Sequence, residues 1–394
     1  MVRTLNLERI PKELVLILEL LKEGNETYIK KHQTALCNAI DWDIFIEQVM
    51  HHRVYPILYS KIKQLDKNLV PPRILALLKQ QYKRNTFQML HLSAEMEIVS
   101  RSFAGNDIKL LFLKGPVLAH ELYGDVSLRT SSDLDVLIPI GDLKKAEQIL
   151  VEQGYQKDDY IQTVLNDWKW RHHHVTYLHP EKNIKLEVHW RLNPGPSKDP
   201  AFNVLWERKA KSSLTSYPVY LLGKEDLFLF LTSHGARHGW SRLRWLMDIH
   251  QLLNQDIDWV RTQRLLDKYN FLQVGGQSIV LVSQLFKNRR ISDEVESLLV
   301  SSKSRKLAQQ AIFYLESMVN LHTDPVPDEV ARYHKHHLFS LMSVQQKFFF
   351  IISFLFPYPE DAKTLPLPKQ FHFLYFPLRP FLWVWRKSRK HALP

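Results

Sequence analysis

Between residues 108 and 190 the apolar side chains stop recurring at helical spacing and fall into short runs, which limits the folds open to the chain. IKLLFL (108–113) is one brief run, ending at Lys114-Gly115-Pro116, and DLDVLIPI (133–140) is a second. HHVTYLHPEKNIKLEVHWRL then offers two alternating strands, 173–178 and 184–190, around the turn HPEKN. Helical pieces separate them: PVLAHELYG has Pro116 in its first turn and Gly124 past its end, and LKKAEQILVEQ is capped by Asp142 and stopped by Gly154. Strand, helix, strand, helix and hairpin in that order predict a small mixed sheet with helices packed on it.

On both sides the pattern is helical. DWDIFIEQVMHHRVYPILYSKIKQL keeps apolar residues at spacings of one to four, and a further helix starts after the Pro71-Pro72 stop. KEDLFLFLTSHGARHGWSRLRWLMDIHQLL repeats Leu243, Leu246, Ile249 and Leu253 on one face. The expected fold class is α+β, a small mixed β-sheet core with helical N-terminal and C-terminal regions. The expected division is a helical subdomain over 1–104, the α/β core over 105–223, a helical domain over 224–345 and an aromatic, basic C-terminal arm over 346–394.

Composition narrows the chemistry. Only 12 glycines occur and neither GxGxxG nor GxxxxGK[ST] is present, so a Rossmann or P-loop nucleotide site has no support. A formal net charge of +12 suits an anionic partner such as nucleotide, nucleic acid or anionic lipid, or simply a solvated basic surface. Cys37 is the only cysteine, which precludes an intrachain disulfide and points to a reducing, cytoplasmic setting. The first residues lack the continuous apolar core of a signal peptide. The longest apolar run, FFFIISFLFPYP (348–359), is cut by proline short of the roughly 20 residues a spanning helix needs, so no transmembrane segment is predicted.

The second strand carries the chemistry. Side chains alternate along a strand, so Asp133 and Asp135 in RTSSDLDVLIPI share a face about 7 Å apart, and they repel unless something positive lies between them. Such a pair suits two divalent cations about 4 Å apart that hold a triphosphate, with a third carboxylate converging on them. Glu187 is the natural third, a lone acid in KLEVHWRL with His189 on its face and Leu186, Val188 and Trp190 on the other. A bare DxD is equally a common solvated turn. The surroundings favour a site: Lys114-Gly115 offers a positive charge and free N–H groups to phosphate oxygens. Arg129, two residues before Ser131 in R-x-S-x-D-x-D, adds a fork of donors.

LLFLKGPVLAHELYGDVSLRTSSDLDVLI followed by LEVHWRL resembles the poorly characterised bacterial nucleotidyltransferase family of the polymerase-β-like superfamily, with its LKG turn, Y-x-D-x-x-x-R segment, DxD strand and acid-x-His-Trp strand. The R-x-S-x-D-x-D spelling also resembles the abortive-infection type nucleotidyltransferase toxins. HHRVYPILY, HGARHGWSRLRWLMD and LPLPKQFHFLYFPLRP look like recurring blocks of the same family, so the resemblance covers most of the chain. It implies a mixed-sheet fold, Asp133 and Asp135 as metal ligands, Glu187 as third carboxylate, and Lys114-Gly115 as the phosphate-facing turn. The wider superfamily has Gly-Ser at that turn, whereas Gly115-Pro116 offers neither hydroxyl nor N–H there.

The histidines divide. In RHHHV (171–175) three successive residues of a strand alternate faces and cannot all bind one ion, so a half-exposed hairpin is expected, with Arg171 or His174 facing substrate. HGARH sets His234 and His238 one helical turn apart without the glutamate of H-E-x-x-H. With Arg237, Arg242 and Arg244 nearby, this block reads as an anion or acceptor contact, or as packing and capping. The arm LYFPLRPFLWVWRKSRK mixes aromatics with five basic residues. Pro377 and Pro380 argue against one continuous helix, and packing of its aromatics on the helical domain is preferred over a peripheral membrane or nucleic-acid contact.

The expected reaction is cytoplasmic transfer of a nucleoside monophosphate from an NTP, with two Mg²⁺ ions, to a hydroxyl or phosphate of a small molecule, peptide or RNA. Phosphoryl or sugar transfer on the same fold, and a non-catalytic nucleic-acid or membrane-binding module, are the alternatives.

Overall fold

Seven strands form one mixed sheet in the order β3–β4–β5–β2–β1–β7–β6. They are β1 (Leu111–Phe112), β2 (Asp133–Leu137), β3 (Gln156–Lys157), β4 (His174–His179), β5 (Ile184–His189), β6 (Ala210–Ser212) and β7 (Val219–Leu221). The computed structural model describes residues 4–66, 68–161, 164–165, 167–287, 291–321, 323 and 325–390; the side chains of Arg389 and Lys390 lie outside the described set. β2 sits at the centre, antiparallel to β1 and parallel to β5, while β4 and β5 form the expected hairpin, with Asn183 at φ 51° in its turn. Around this sheet lie helices, as the α+β reading requires.

The strands differ from expectation where they are short. The run at 108–113 pairs only over Leu111–Phe112, and β3, β6 and β7 span two or three residues each, too few to show alternation. β4 begins at His174, one residue later than the pattern suggests.

Two hydrophobic clusters hold the layers together. On one sheet face Leu134, Val136, Leu186 and Val188 pack with Met89, Leu92, Met96, Val99 and Phe103 from the long helix Pro72–Gly105. The other cluster joins Leu14, Ile17, Phe45 and Val49 of the N-terminal helices to Phe228, Leu246, Ile249 and Val280 of the later ones, and takes in Leu78 from the start of the same long helix. The regions 1–104 and 224–345 therefore share one core, and a single 34-residue helix serves both clusters.

Arg129, between the helix Pro116–Tyr123 and β2, is 2% exposed. Its Nε and Nη2 donate to Asp248 Oδ1 and Oδ2 at 2.8 and 2.9 Å, and Tyr123 Oη donates to Asp248 Oδ1 at 2.9 Å. Asp248 belongs to the helix Leu243–Leu253, so one carboxylate ties the sheet layer to the helical layer. The expected phosphate contact through Arg129 is thereby corrected: its fork is spent on a buried acid.

The C-terminal arm folds into the helices Val344–Ser353, Pro359–Thr364 and Tyr375–Lys390. The last is continuous despite its prolines, because Pro377 lies in the first turn, where no N–H is needed, and Pro380 forfeits one backbone bond. Buried Asp361 gathers it, accepting from Arg379 Nη1 at 3.1 Å and Arg386 Nη1 at 2.7 Å. The preferred packing of the arm's aromatics on the helical domain fails for most of them: Phe381, Trp383 and Trp385 are 73%, 52% and 54% exposed. Phe350 at the start of the arm does pack near Phe339 of the helical domain, ring centroids 6.4 Å apart, and the arm also meets the sheet layer, where Trp170 stacks on Phe356 at 5.9 Å. Among the described residues no helix is long and apolar enough to cross a membrane.

Replacing Asp248 with Ala strands the buried Arg129 charge and should cost about 3–5 kcal/mol of unfolding free energy, read from urea denaturation. Burial also pushes His51 and His337 down to about 4, helped by Arg242 beside the first and His334 beside the second. Both folded values lie below the ordinary 6.5, so the unfolded chain binds more protons in acid, and stability should fall as pH drops from 6.5 to about 4. A melting temperature that stays flat across that window in wild type would contradict this, and His51→Gln should shallow the slope.

Candidate active site

β2 and β5 pair in parallel with Asp135 opposite Glu187 and Leu137 opposite His189, which sets Asp133, Asp135, Lys185, Glu187 and His189 on one sheet face. β4 continues that face, with His174 opposite His189. The opposite side chains, Leu134, Val136, Leu186 and Val188, are fully buried and hold the strands in place. The three expected carboxylates are thus brought together by register alone. They line or underlie a cleft of about 500 Å³.

Cations answer the repulsion between the acids. Lys114 Nζ lies 2.9 Å from Asp135 Oδ1, and Lys185 Nζ lies 2.6 Å from Glu187 Oε1 and 3.3 Å from Asp133 Oδ2. Burial works against the charge of Asp135, but Lys114 and His189 outweigh it and lower its pKa. Burial likewise opposes Glu187, and His189, His174 and Lys185 together hold it well below the usual carboxylate range. His189 is buried too, yet its hydrogen bonds to Asp135 and Glu187 raise its pKa. Asp135 Oδ2 is buried with no partner among the described residues.

The opposite wall is basic. It comes from the helix Lys224–Arg237, the turn that follows and the start of the helix Leu243–Leu253, with Arg53 from the end of the helix Trp42–His52. Burial pulls Arg237 and Arg242 down to about 10 and Arg244 to about 9, and Arg53 adds to the effect on the last two. Arg237 Nη1 and Arg244 Nε are buried and unpartnered among the described residues. Arg244 Nη1 donates to the Thr130 carbonyl at 2.5 Å, which aims this residue across the mouth of β2. His234 and His238 sit beside Trp245 in the same wall, ring centroids 5.7 and 5.2 Å away.

Several expected contacts lie elsewhere. Arg171 does not line the cleft; its Nε binds Asp167 and its guanidinium covers Tyr358 of the arm at 4.3 Å. Ser131 donates to the Asp133 carbonyl at 3.1 Å and faces a neighbouring groove. Lys114 does line the cleft, where its Nζ meets Asp135. Gly115, at φ 89°, starts the helix Pro116–Tyr123, and a Cβ there would lie 3.4 Å from Leu134 Cδ2, so this turn is shaped by close packing on β2. Arg242 does line the cleft, but it is partly engaged by the His51 carbonyl and by Asn320 Oδ1 at 3.0 Å.

Two charged lining residues escaped sequence reasoning. Lys185 shares the strand face of Glu187 and was legible from period two. Arg53 has no local signal, because it reaches the site only through packing of the N-terminal helices. His173 and His174 both line the cleft, since His173 precedes the strand and escapes its alternation.

The sequence profile of a family described as uncharacterised nucleotidyltransferase matches residues 38–287, more than half of the chain. The chain belongs to that family. The matched span contains every residue of the two walls, from Arg53 to Trp245. Among solved structures, an antigenic nucleotidyltransferase-like protein from Paracoccidioides brasiliensis is similar at 13% identity and a TM-score of 0.33, covering 54% of this chain and 95% of that one. No curated protein matches.

Inorganic tripolyphosphate, added with chelator so that no metal contributes, should raise the melting temperature by pairing with the arginine wall. Arg237→Ala and Arg244→Ala should each weaken that binding roughly 10- to 100-fold. Equal stabilisation of wild type and both variants would show that the wall does not bind phosphate.

Proposed function

We propose that this member of the nucleotidyltransferase family transfers a nucleoside monophosphate from an NTP to a hydroxyl or phosphate of an acceptor, with two Mg²⁺ ions. The observation that carries the reading is the opposition, across one cleft, of three carboxylates and a wall of mostly half-buried arginines that form no ion pair among the described residues. A triphosphate with its metal ions presents the two charges this arrangement lacks.

The residues present fit the cations. Two ammonium groups already lie on the three carboxylates, and Asp135 keeps a buried oxygen without a partner. Asp133, Asp135 and Glu187 would hold the ions, which when bound neutralise the leaving pyrophosphate and lower the pKa of the acceptor. Arg237 and Arg244 hold phosphate oxygens and so take over the task of the hydroxyl that Pro116 lacks. Phe230, Leu192 and Trp245 give the cleft its apolar lining and restrict water near the reacting atoms. Glu187 acts first as ligand, since a metal-bound carboxylate is a poor proton acceptor, and a general-base role ranks second.

A membrane contact through the arm is a second reading, favoured by one observation. Val344, Phe348, Ile351, Phe381, Trp383 and Trp385 are all more than half exposed, with Lys347 and Lys387 interleaved among them. An anionic bilayer surface matches both the aromatics and the charge.

ATP labelled at the α phosphate should pass label to an acceptor in a cell extract, and Asp135→Asn should reduce this to background; label arriving from the γ phosphate instead would sink nucleotidyl transfer. For the arm, the protein should co-sediment with vesicles containing phosphatidylserine, and Trp383→Ser with Trp385→Ser should release it. Binding that survives the double change would remove the membrane reading.

A further inference from the structure

The walls of the cleft differ in more than charge: beside the carboxylates stand three histidines that a magnesium site does not need. His189 Nε2 lies 3.3 Å from Asp135 Oδ1 and 3.6 Å from Glu187 Oε2, and His174 Nε2 lies 3.8 Å from Glu187 Oε2. Metal bonds of about 2.1 Å give coordination polyhedra with edges of about 3.0–3.4 Å; the ligand atoms of Asp135, Glu187 and His189 lie within 4.8 Å of one another, as do those of His173, His174 and His189, so His189 joins a carboxylate set to an imidazole set. Strand register produces the arrangement, with His174 opposite His189 and Glu187 opposite Asp135 on three adjacent strands.

We propose that Asp135, Glu187 and His189, joined by His174 from beside Glu187, form a mixed imidazole–carboxylate site for a first-row transition ion of the Mn²⁺ to Zn²⁺ class, in preference to Mg²⁺. This rests on the reading that the carboxylates hold cations. Mg²⁺ takes oxygen ligands in strict octahedral geometry, whereas imidazole nitrogen favours the later divalent ions. The two cation positions are therefore unlike: one carries two nitrogens, and the other, toward Asp133, is made of oxygen.

A closed hydrogen-bond network is the competing account of the same histidines. It leaves Asp135 Oδ2 and His189 Nδ1 buried without partners among the described residues, although Asp135 is 1% exposed and His189 3%. An ion bound through both oxygens of Asp135 would use the first of these. His173 acts as a positioning residue: its Nε2 lies 3.3 Å from His174 Nδ1, which turns the other nitrogen of His174 toward Glu187.

The full chain, stripped with chelator and free of nucleotide, should be dialysed against Mn²⁺, Zn²⁺ or Mg²⁺ separately and the bound metal counted. One transition ion per chain should remain bound in excess Mg²⁺, and the electron spin-echo spectrum of bound Mn²⁺ should show ¹⁴N modulation from imidazole. His174→Gln and His189→Gln should each weaken binding at least about 10-fold. His189 is buried and its variant is checked by melting temperature; half-buried His174 keeps the test valid if that variant does not fold. Mg²⁺ competing on equal terms, absent nitrogen modulation, or unchanged binding in folded His174→Gln would overturn the site. Because binding is read without nucleotide, a protein that keeps its ion but transfers nothing fails the reaction and leaves the site standing.

Discussion

The buried ion pair between Arg129 and Asp248 sets the geometry on which the cleft depends. One carboxylate from the helical layer receives two guanidinium hydrogens from the segment leading into β2 and a hydroxyl hydrogen from Tyr123. Such a pair contributes little net stability against a hydrophobic substitute, but it is costly to break and fixes relative position. Here it holds the start of β2, and with it Asp133 and Asp135, against the helix that begins at Leu243 and carries Arg244 and Trp245. The carboxylate wall and the arginine wall face each other because of it.

Each wall is unstable on its own terms. Three acids on two adjacent strands repel, and lysines and a histidine offset them; Arg237 and Arg244 lose hydration, and the more distant carboxylates around them do not make up the loss. A folded chain maintains such a conflict only where the surrounding packing over-determines it, and the fully buried residues behind β2 and β5 supply that packing. A ligand carrying both phosphate and metal charge would relieve both walls at once, which is the physical basis for proposing an NTP over a purely anionic or purely cationic guest.

Much of this was legible in the chain's own patterns. Period two in DLDVLIPI and KLEVHWRL places Asp133 with Asp135 on one face of one strand and Glu187 with His189 on one face of another, and the flanking 3.6-residue period announces helices. Family resemblance pointed to the same residues. The reading of Arg129 erred because a basic residue four positions before a DxD looks the same whether it meets phosphate or a buried acid 119 positions away. The prolines of the arm misled similarly: their cost is local, whereas Asp361 and two arginines, 18 and 25 positions apart, hold the helix together.

By itself the sequence determined periodicity, and so the elements, the face each strand presents and the chemical type of its side chains, because these depend on neighbours within a few residues. Only the tertiary structure decided which charges meet. Arg53, Lys185, Arg237 and Arg244 enter the cleft from three separate parts of the chain. His173 joins His174 there only because the strand starts one residue late. Charge–charge energy depends on distance in space and on burial, and neither is written in the spacing of residues along the chain.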